Sequence, residues 1–170
     1  MSLVLRHNPG TLGMELDENG WLAIDALVAG MSRKGVRADK EIIFEVVRTN
    51  DKQRFTISED KCMVRANQGH SVQVDVELQA TEPLEFLFHG TVEKFMPNIL
   101  ETGITKQSRL HVHLSKDVET ANVVGARRGK PLLLRIQALR MFQDGHEFFL
   151  SENEVWLTDH VPPEYIEQSW

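Results

Sequence analysis

Apolar residues recur along this chain with two periods, and the change of period divides it. Ile24, Leu27, Val28 and Met31 form a helical stripe within Ile24 to Lys34, and Gly35 can end that helix. Asp39 is placed to cap a second helix with Ile42, Ile43, Val46 and Val47 on one face. Ahead of both, Leu3-Val4-Leu5 predicts a short helix that stops near Asn8-Pro9-Gly10. Arg54 to Ser58 and Lys61 to Arg65 flank Glu59-Asp60 as the arms of a β-hairpin. Helices followed by a two-stranded wing predict a winged-helix module, a fold that often binds nucleic acid.

The period then shortens. Val72, Val74, Val76 and Leu78 alternate with Gln73, Asp75 and Glu77, which predicts a strand inside the seam from Gln73 to Pro83. The seam separates a first lobe, residues 1–78, from a second, residues 79–170. In the second lobe Phe86-Leu87-Phe88 predicts a strand leading into His89-Gly90-Thr91, and Glu93 to Glu101 a helix with Pro97 in its early turn. His111 to Ser115 predicts a strand, Asp117 to Arg128 a helix ending at Gly129, and Pro131 to Ile136 another strand. Phe148 to Leu150 and Val155 to Thr158 complete the set. Short strands with few intervening helices predict an α+β fold, not a doubly wound parallel sheet.

Composition narrows the classes. With 170 residues, 41% hydrophobic and 26% charged, the chain is an ordinary globular one, long enough for two small lobes. Cys62 is the only cysteine, so there is no disulfide scaffold. No apolar run approaches the roughly 18 residues of a membrane span. No signal peptide is read at Met1 to Leu5, and a monomeric, cytoplasmic protein is expected. The net charge of −6 argues against a general nucleic-acid coat. Residues 33–65 depart from this, with 9 basic and 6 acidic side chains, a local net of +3.

Four constellations could carry chemistry. Arg6-His7 at a helix end could hold a phosphate, or be a solvated terminus. Arg65 followed by Gln68-Gly69-His70-Ser71 could bring backbone amides to an anion, or be a plain strand exit. His89-Gly90-Thr91 and His111-Val112-His113-Leu114-Ser115 each place histidine and a hydroxyl residue at the end of a strand. No metal is expected there, because no carboxylate or thiol completes a recognisable ligand spacing. Gly125-Ala126-Arg127-Arg128-Gly129-Lys130 is the densest basic cluster of the second lobe, at a helix end where the dipole favours cations anyway. Neither usual nucleotide-binding fingerprint is present.

Together these blocks resemble the RNA 2′-phosphotransferases of the KptA type, the tRNA 2′-phosphotransferases. The matching strings are Ser2 to Pro9, Gly20-Trp21, Arg65 to Ser71, Phe88 to Thr91, His111 to Ser115, Val124 to Arg127, Ser151-Glu152-Asn153 and Val155 to Thr158. The resemblance covers nearly the whole chain, although relatives usually carry a further stretch before the Arg-His block. It implies an N-terminal winged-helix RNA lobe and a C-terminal NAD-binding lobe of the ADP-ribosyltransferase type. It implies transfer of an internal RNA 2′-phosphate, of the tRNA splice-junction type, to NAD⁺. An ADP-ribosylated RNA 2′-phosphate is the intermediate; 2′-OH RNA, nicotinamide and ADP-ribose 1″,2″-cyclic phosphate are the products. The family's catalytic group maps onto Arg6, His7, Arg65 and Arg127, and its NAD-binding positions onto His89, Gly90, Thr91, His113 and Ser115. Gln68, Gly69, His70 and Ser71 fall in the substrate loop, and Val155 stands where many ADP-ribosyltransferases carry a glutamate.

Such residue types suit the reaction. A phosphate monoester is already nearly dianionic, with a second pKa of about 6, so it needs positioning more than deprotonation. Good positioning lowers a barrier by roughly 7–11 kcal/mol at best. Two other functions remain open from the sequence: an ADP-ribosyltransferase that caps terminal phosphates of nucleic acid, and a non-catalytic winged-helix nucleic-acid-binding protein.

Overall fold

The computed structural model describes residues 1–168. The chain divides between Glu77 and Leu78 into two compact units.

The first unit opens with α1 (Ser2–Arg6) and a single 3-10 turn (Pro9–Leu12). Strand β1 (Trp21–Ala23) runs directly into α2 (Ile24–Arg33), and α3 (Lys40–Arg48) follows. The Asp39 carboxylate accepts from the Ile42 N–H at 2.8 Å and so caps α3. Strands β2 (Phe55–Ile57) and β3 (Met63–Ala66) form the hairpin. Its turn is tied by Ser58, whose Oγ donates to Asp60 at 2.6 Å and accepts from the Met63 N–H at 2.9 Å. The sheet order is β1-β3-β2, antiparallel throughout. Leu5, Leu22, Ile24, Leu27, Ile43, Phe55, Val64 and Ala66 make the core between helices and sheet.

Two expectations need correction here. The hairpin sheet has a third strand, β1, because Trp21 to Ala23 is too short for periodicity to reveal but pairs residue for residue with β3. Val72 to Leu78 is not a strand. Its alternation is real as burial, with Val72, Val74 and Val76 half-buried between exposed Gln73, Asp75 and Glu77. An alternating segment covers one face, but a ladder also needs a sheet edge to pair with. This segment instead donates from the Asp75 N–H to the Glu18 carbonyl in the loop before β1.

The second unit contains β4 (Leu87–Thr91), α4 (Met96–Thr102), β5 (Ile104–Thr105), β6 (Val112–Leu114) and α5 (Val118–Gly125). After α5 comes a 3-10 turn (Ala126–Arg128), then β7 (Leu132–Ile136), α6 (Ala138–Gln143), β8 (Phe149–Leu150), β9 (Trp156–Thr158), β10 (His160–Val161) and β11 (Ile166–Gln168). The strands form sheets ordered β11-β7-β4, β6-β9-β8 and β10-β5, and every pairing is antiparallel. The α+β reading therefore holds at that level. Phe88 and Ser115 exchange two backbone hydrogen bonds of 2.8 Å each, which join β4 to the end of β6 and so tie the first two sheets together. Leu87, Leu114, Leu134, Ile136, Met141, Phe148 and Trp156 lie in the core beneath. One correction concerns the His-Gly-Thr block. It lies inside β4 and does not follow it, because the β7 pairing runs on to Thr91 opposite Leu132.

Among the described residues no helix is long and apolar enough to cross a membrane.

Candidate active site

In the first unit the end of α1 is held in place from two sides. The Ser71 N–H donates to the Arg6 carbonyl at 2.8 Å, and Ser71 Oγ lies 3.0 Å from His7 Nδ1. The Arg6 guanidinium sits 6.0 Å from the centre of the Phe55 ring, and its Nε and Nη2 are shielded from solvent. Arg65 projects from β3 directly opposite Trp21 on β1, and its guanidinium lies 4.5 Å from the Trp21 ring centre. Its side chain is only 12% exposed and meets Glu77 through Nη1 at 3.3 Å. Helix α1 packs against β3, so Arg6, His7, Arg65 and Ser71 belong to one neighbourhood built on rigid elements. Stacking and burial remove rotamers from both arginines before any ligand arrives, and such ordering is what positioning requires.

The loop residues divide. Gly69 takes a φ of +84°, a left-handed conformation that turns the chain back toward α1. His70 is 1% exposed and lies inside, with its Nε2 3.5 Å from where a Cβ on Gly20 would be, so its place is that of a loop anchor. Ser71 is the loop residue that reaches the Arg6-His7 end, while Gln68 is half-buried.

In the second unit β4 and β6 carry the histidine blocks side by side. His89 Nδ1 donates to the backbone carbonyl of His113 at 3.1 Å. Thr91 is buried, whereas His113 and Ser115 are half-buried. Gly90 has no room for a side chain, because a Cβ there would fall 1.8 Å from the Ala121 carbonyl oxygen and 2.8 Å from the Gly125 N. Its part is close approach: α5 lies on β4 backbone to backbone, and the turn that follows α5 carries Arg127 and Arg128. Asp117 starts that helix by accepting from the Thr120 N–H at 2.7 Å. Arg128 stacks 5.7 Å from the Phe95 ring centre.

One residue of this cluster is invisible to motif reading. Arg109 contacts His113 Nδ1 through its Nη1. Burial lowers the Arg109 pKa, and the like charges of Arg128 and Arg127 add to the effect. Burial also lowers the His89 pKa, the bond to His113 opposes this, and Arg128 and Arg109 lower it further. Arg109 thus feels the charges of Arg128 and Arg127, and His89 those of Arg128 and Arg109, in a half of the chain whose formal charge is negative. Such an arrangement is receptive to anions. The sequence signal was slight, a single arginine two residues before His111.

Val155 precedes β9, with its carbonyl accepting from the Ser151 N–H at 3.0 Å, and neighbouring Glu154 is paired with Lys116 at 2.6 Å. Among the described residues no group of three or more His, Cys, Asp or Glu is placed to hold a metal ion.

The model of the family "RNA 2'-phosphotransferase, Tpt1 / KptA family" matches residues 1–160. The chain belongs to this family. A probable RNA 2′-phosphotransferase of Rhodopirellula baltica is 58% identical over 98% of the chain and 91% of its own length. Those of Flavobacterium johnsoniae and Hahella chejuensis are 55% and 51% identical, each over 98% of the chain and over 92% and 89% of their own lengths. Membership of the RNA 2′-phosphotransferase family makes the chain an enzyme of the transferase class.

Proposed function

We propose that this protein removes an internal 2′-phosphate from RNA by transferring it to NAD⁺, leaving 2′-OH RNA, nicotinamide and ADP-ribose 1″,2″-cyclic phosphate. The observation that carries the phosphate half of this reading is the ordered set Arg6, His7, Arg65 and Ser71, three potentially cationic side chains and a hydroxyl fixed on α1, β3 and one loop. This set would hold the phosphate dianion, with Glu77 giving way at Arg65. The reading also takes the first unit as a winged-helix RNA lobe and the second as an NAD-binding lobe of the ADP-ribosyltransferase type.

The donors of the second unit fit a dinucleotide. Its diphosphate calls for cations, which Arg109 and Arg128 offer, and its ribose hydroxyls call for paired donors and acceptors, which His89, Thr91, His113 and Ser115 offer. When bound, NAD⁺ supplies the acceptor ribose and nicotinamide as a leaving group. Arg127 would balance charge on the phosphoryl oxygens while the RNA 2′-oxygen departs, a role in which one lost donor costs about 10²–10³ in rate. His7 would orient the phosphate through the same ring whose Nδ1 meets Ser71.

The test mixes the protein, NAD⁺ and a short RNA bearing one internal 2′-phosphate. Conversion to 2′-OH RNA with release of the cyclic phosphate, only when NAD⁺ is present, is the expected result. Conversion without NAD⁺, or none with it, overturns the reading.

A further inference from the structure

The nine Lys and Arg side chains of residues 81–170 divide into two sets. Lys106, Lys116, Arg135 and Arg140 are ion-paired, with Asp159, Glu154, Glu167 and Asp144. Among the described residues the other five, Lys94, Arg109, Arg127, Arg128 and Lys130, make no ion pair, although the same stretch holds 13 Asp and Glu. These five come from three separate segments and meet. Lys94 Nζ and the Arg128 guanidinium lie 4.9 and 5.7 Å from the centre of one ring, that of Phe95. Arg109 feels burial first and then the like charges of Arg128 and Arg127, all of which lower its pKa. Lys130 follows Arg128 across Gly129, where a Cβ would lie 3.7 Å from Val92, so the turn after α5 lies against the segment that carries Lys94. The dipole of α5 accounts for cations at its own end, not for Lys94 or Arg109. Like charges gathered from separate segments repel one another, and an anion turns that repulsion into attraction.

We propose that Lys94 and Lys130 bind the sugar-phosphate backbone of the RNA strand that presents the 2′-phosphate. This partner rests on the RNA reading above, which assigns neither lysine a part. Charge matching separates the two lysines from the rest of the cluster. The diphosphate of NAD⁺ carries two negative charges, which Arg109 and Arg128 match, and Arg127 serves the transferred phosphoryl group. Lys94 and Lys130 remain, and NAD⁺ has no further anion for them. A polynucleotide carries one phosphate per nucleotide, so a strand that reaches the second unit brings the charges these lysines lack. Both are exposed, and a lysine ammonium is a point charge on a flexible stem, suited to phosphates whose positions vary along a strand. The Phe95 ring holds Lys94 without neutralising it. The remaining charged surface of the second unit is rich in carboxylates and repels a strand, so the patch also selects the side on which RNA approaches. Phosphate contacts carry no sequence information, and the seat is indifferent to base identity.

The test measures binding of a long single-stranded RNA with one internal 2′-phosphate to the full chain across a range of salt concentrations. Lys94→Gln/Lys130→Gln is compared with wild type and with Lys106→Gln/Lys116→Gln, which loses the same charge from ion-paired positions. Each phosphate contact with a single strand adds about 0.7 to the slope of log affinity against log salt. The Lys94/Lys130 variant is expected to have a slope shallower by about 1.4, so the wild type's advantage over it shrinks about sevenfold between roughly 50 and 200 mM salt. The Lys106/Lys116 variant should keep a slope near that of wild type. In turnover, the Lys94/Lys130 variant should raise KM for the long RNA and leave kcat unchanged. Its KM for NAD⁺ and for a trinucleotide with the same 2′-phosphate should also stay as in wild type. An unchanged slope overturns the proposal, and so does an equal loss in the Lys106/Lys116 variant, which would report net charge alone. A raised KM for NAD⁺ overturns it too, by giving the lysines to the dinucleotide. A slope lost as expected, in a protein whose wild type shows no NAD-dependent turnover, sinks the functional reading and leaves the backbone seat standing. Turnover with an unchanged slope does the reverse.

Discussion

Arg65 and Trp21 face each other across the β1–β3 ladder, with the guanidinium 4.5 Å from the indole ring centre. The indole fixes the plane of a cation that the 12% exposure of its side chain already confines. Glu77 meets its Nη1 at 3.3 Å. Arg65 is thus oriented by an aromatic face and neutralised by a displaceable carboxylate.

Trp21→Leu keeps an apolar side chain but removes the face. A cation–π contact of this kind contributes ~0.5–2 kcal/mol, so a rise of about twofold to thirtyfold in KM for 2′-phosphorylated RNA is expected. KM for NAD⁺ should stay near wild type. Steady-state kinetics with each substrate varied in turn checks this. Glu77→Gln should act the other way and lower KM for the RNA, because the phosphate no longer competes with a carboxylate; the effect stays within the ~1 kcal/mol typical of exposed pairs.

Gly90→Ala should unfold the second unit at lower temperature than the wild type. The added Cβ would meet the backbone oxygen of Ala121 at 1.8 Å, and a helix backbone cannot step aside as a flexible side chain can. Overpacking of this kind costs ~1–3 kcal/mol or more. Gly145→Ala, where a Cβ meets nothing within 4 Å, carries only the strain of its φ of +99° and is the comparison. Thermal denaturation of both variants checks the order.

Arg127→Ala should bind RNA and NAD⁺ but stall. If Arg127 balances charge in the phosphoryl step, an ADP-ribosylated RNA 2′-phosphate should accumulate, visible as a slower-migrating RNA band. A variant that turns over at the wild-type rate would remove Arg127 from the reaction. A wild type that itself stops at this species would point to phosphate capping.

Asp117 links stability to pH. The Thr120 N–H holds its carboxyl below the ordinary range, with burial opposing and the Thr120 hydroxyl and Lys116 adding to the lowering. The folded-state pKa is therefore below the unfolded one. The stabilisation is present above the unfolded pKa and is lost as pH falls through the folded pKa. Asp117→Asn keeps a capping oxygen and should cost little, whereas Asp117→Ala should cost ~1 kcal/mol at neutral pH. The Ala deficit should vanish in acid, which denaturant titration at several pH values checks.

Local chemistry made much of this molecule legible. Asp39 and Asp117 cap their helices where acidic residues precede apolar stripes, and Glu59-Asp60 sits in the turn of the hairpin. Such features depend on neighbours a few residues away, and the sequence contains those neighbours. Val72 to Leu78 shows the limit, since alternation reports a buried face and says nothing of a pairing edge. Strand β1 shows the converse, a pairing edge with too few residues to alternate.

The site divides in the same way. By itself the sequence determined which residue types are present, and its motif blocks placed Arg6, His7, Arg65, Arg127, His89 and His113 as candidates. Only the tertiary structure decided their surroundings: Trp21 beneath Arg65, Ser71 against His7, His70 turned inside, Gly90 emptied for α5 and Arg109 against His113. The physical reason is that a proton position or a guanidinium plane is set by the partner within about 3 Å, and chain folding, not spacing along the chain, chooses that partner.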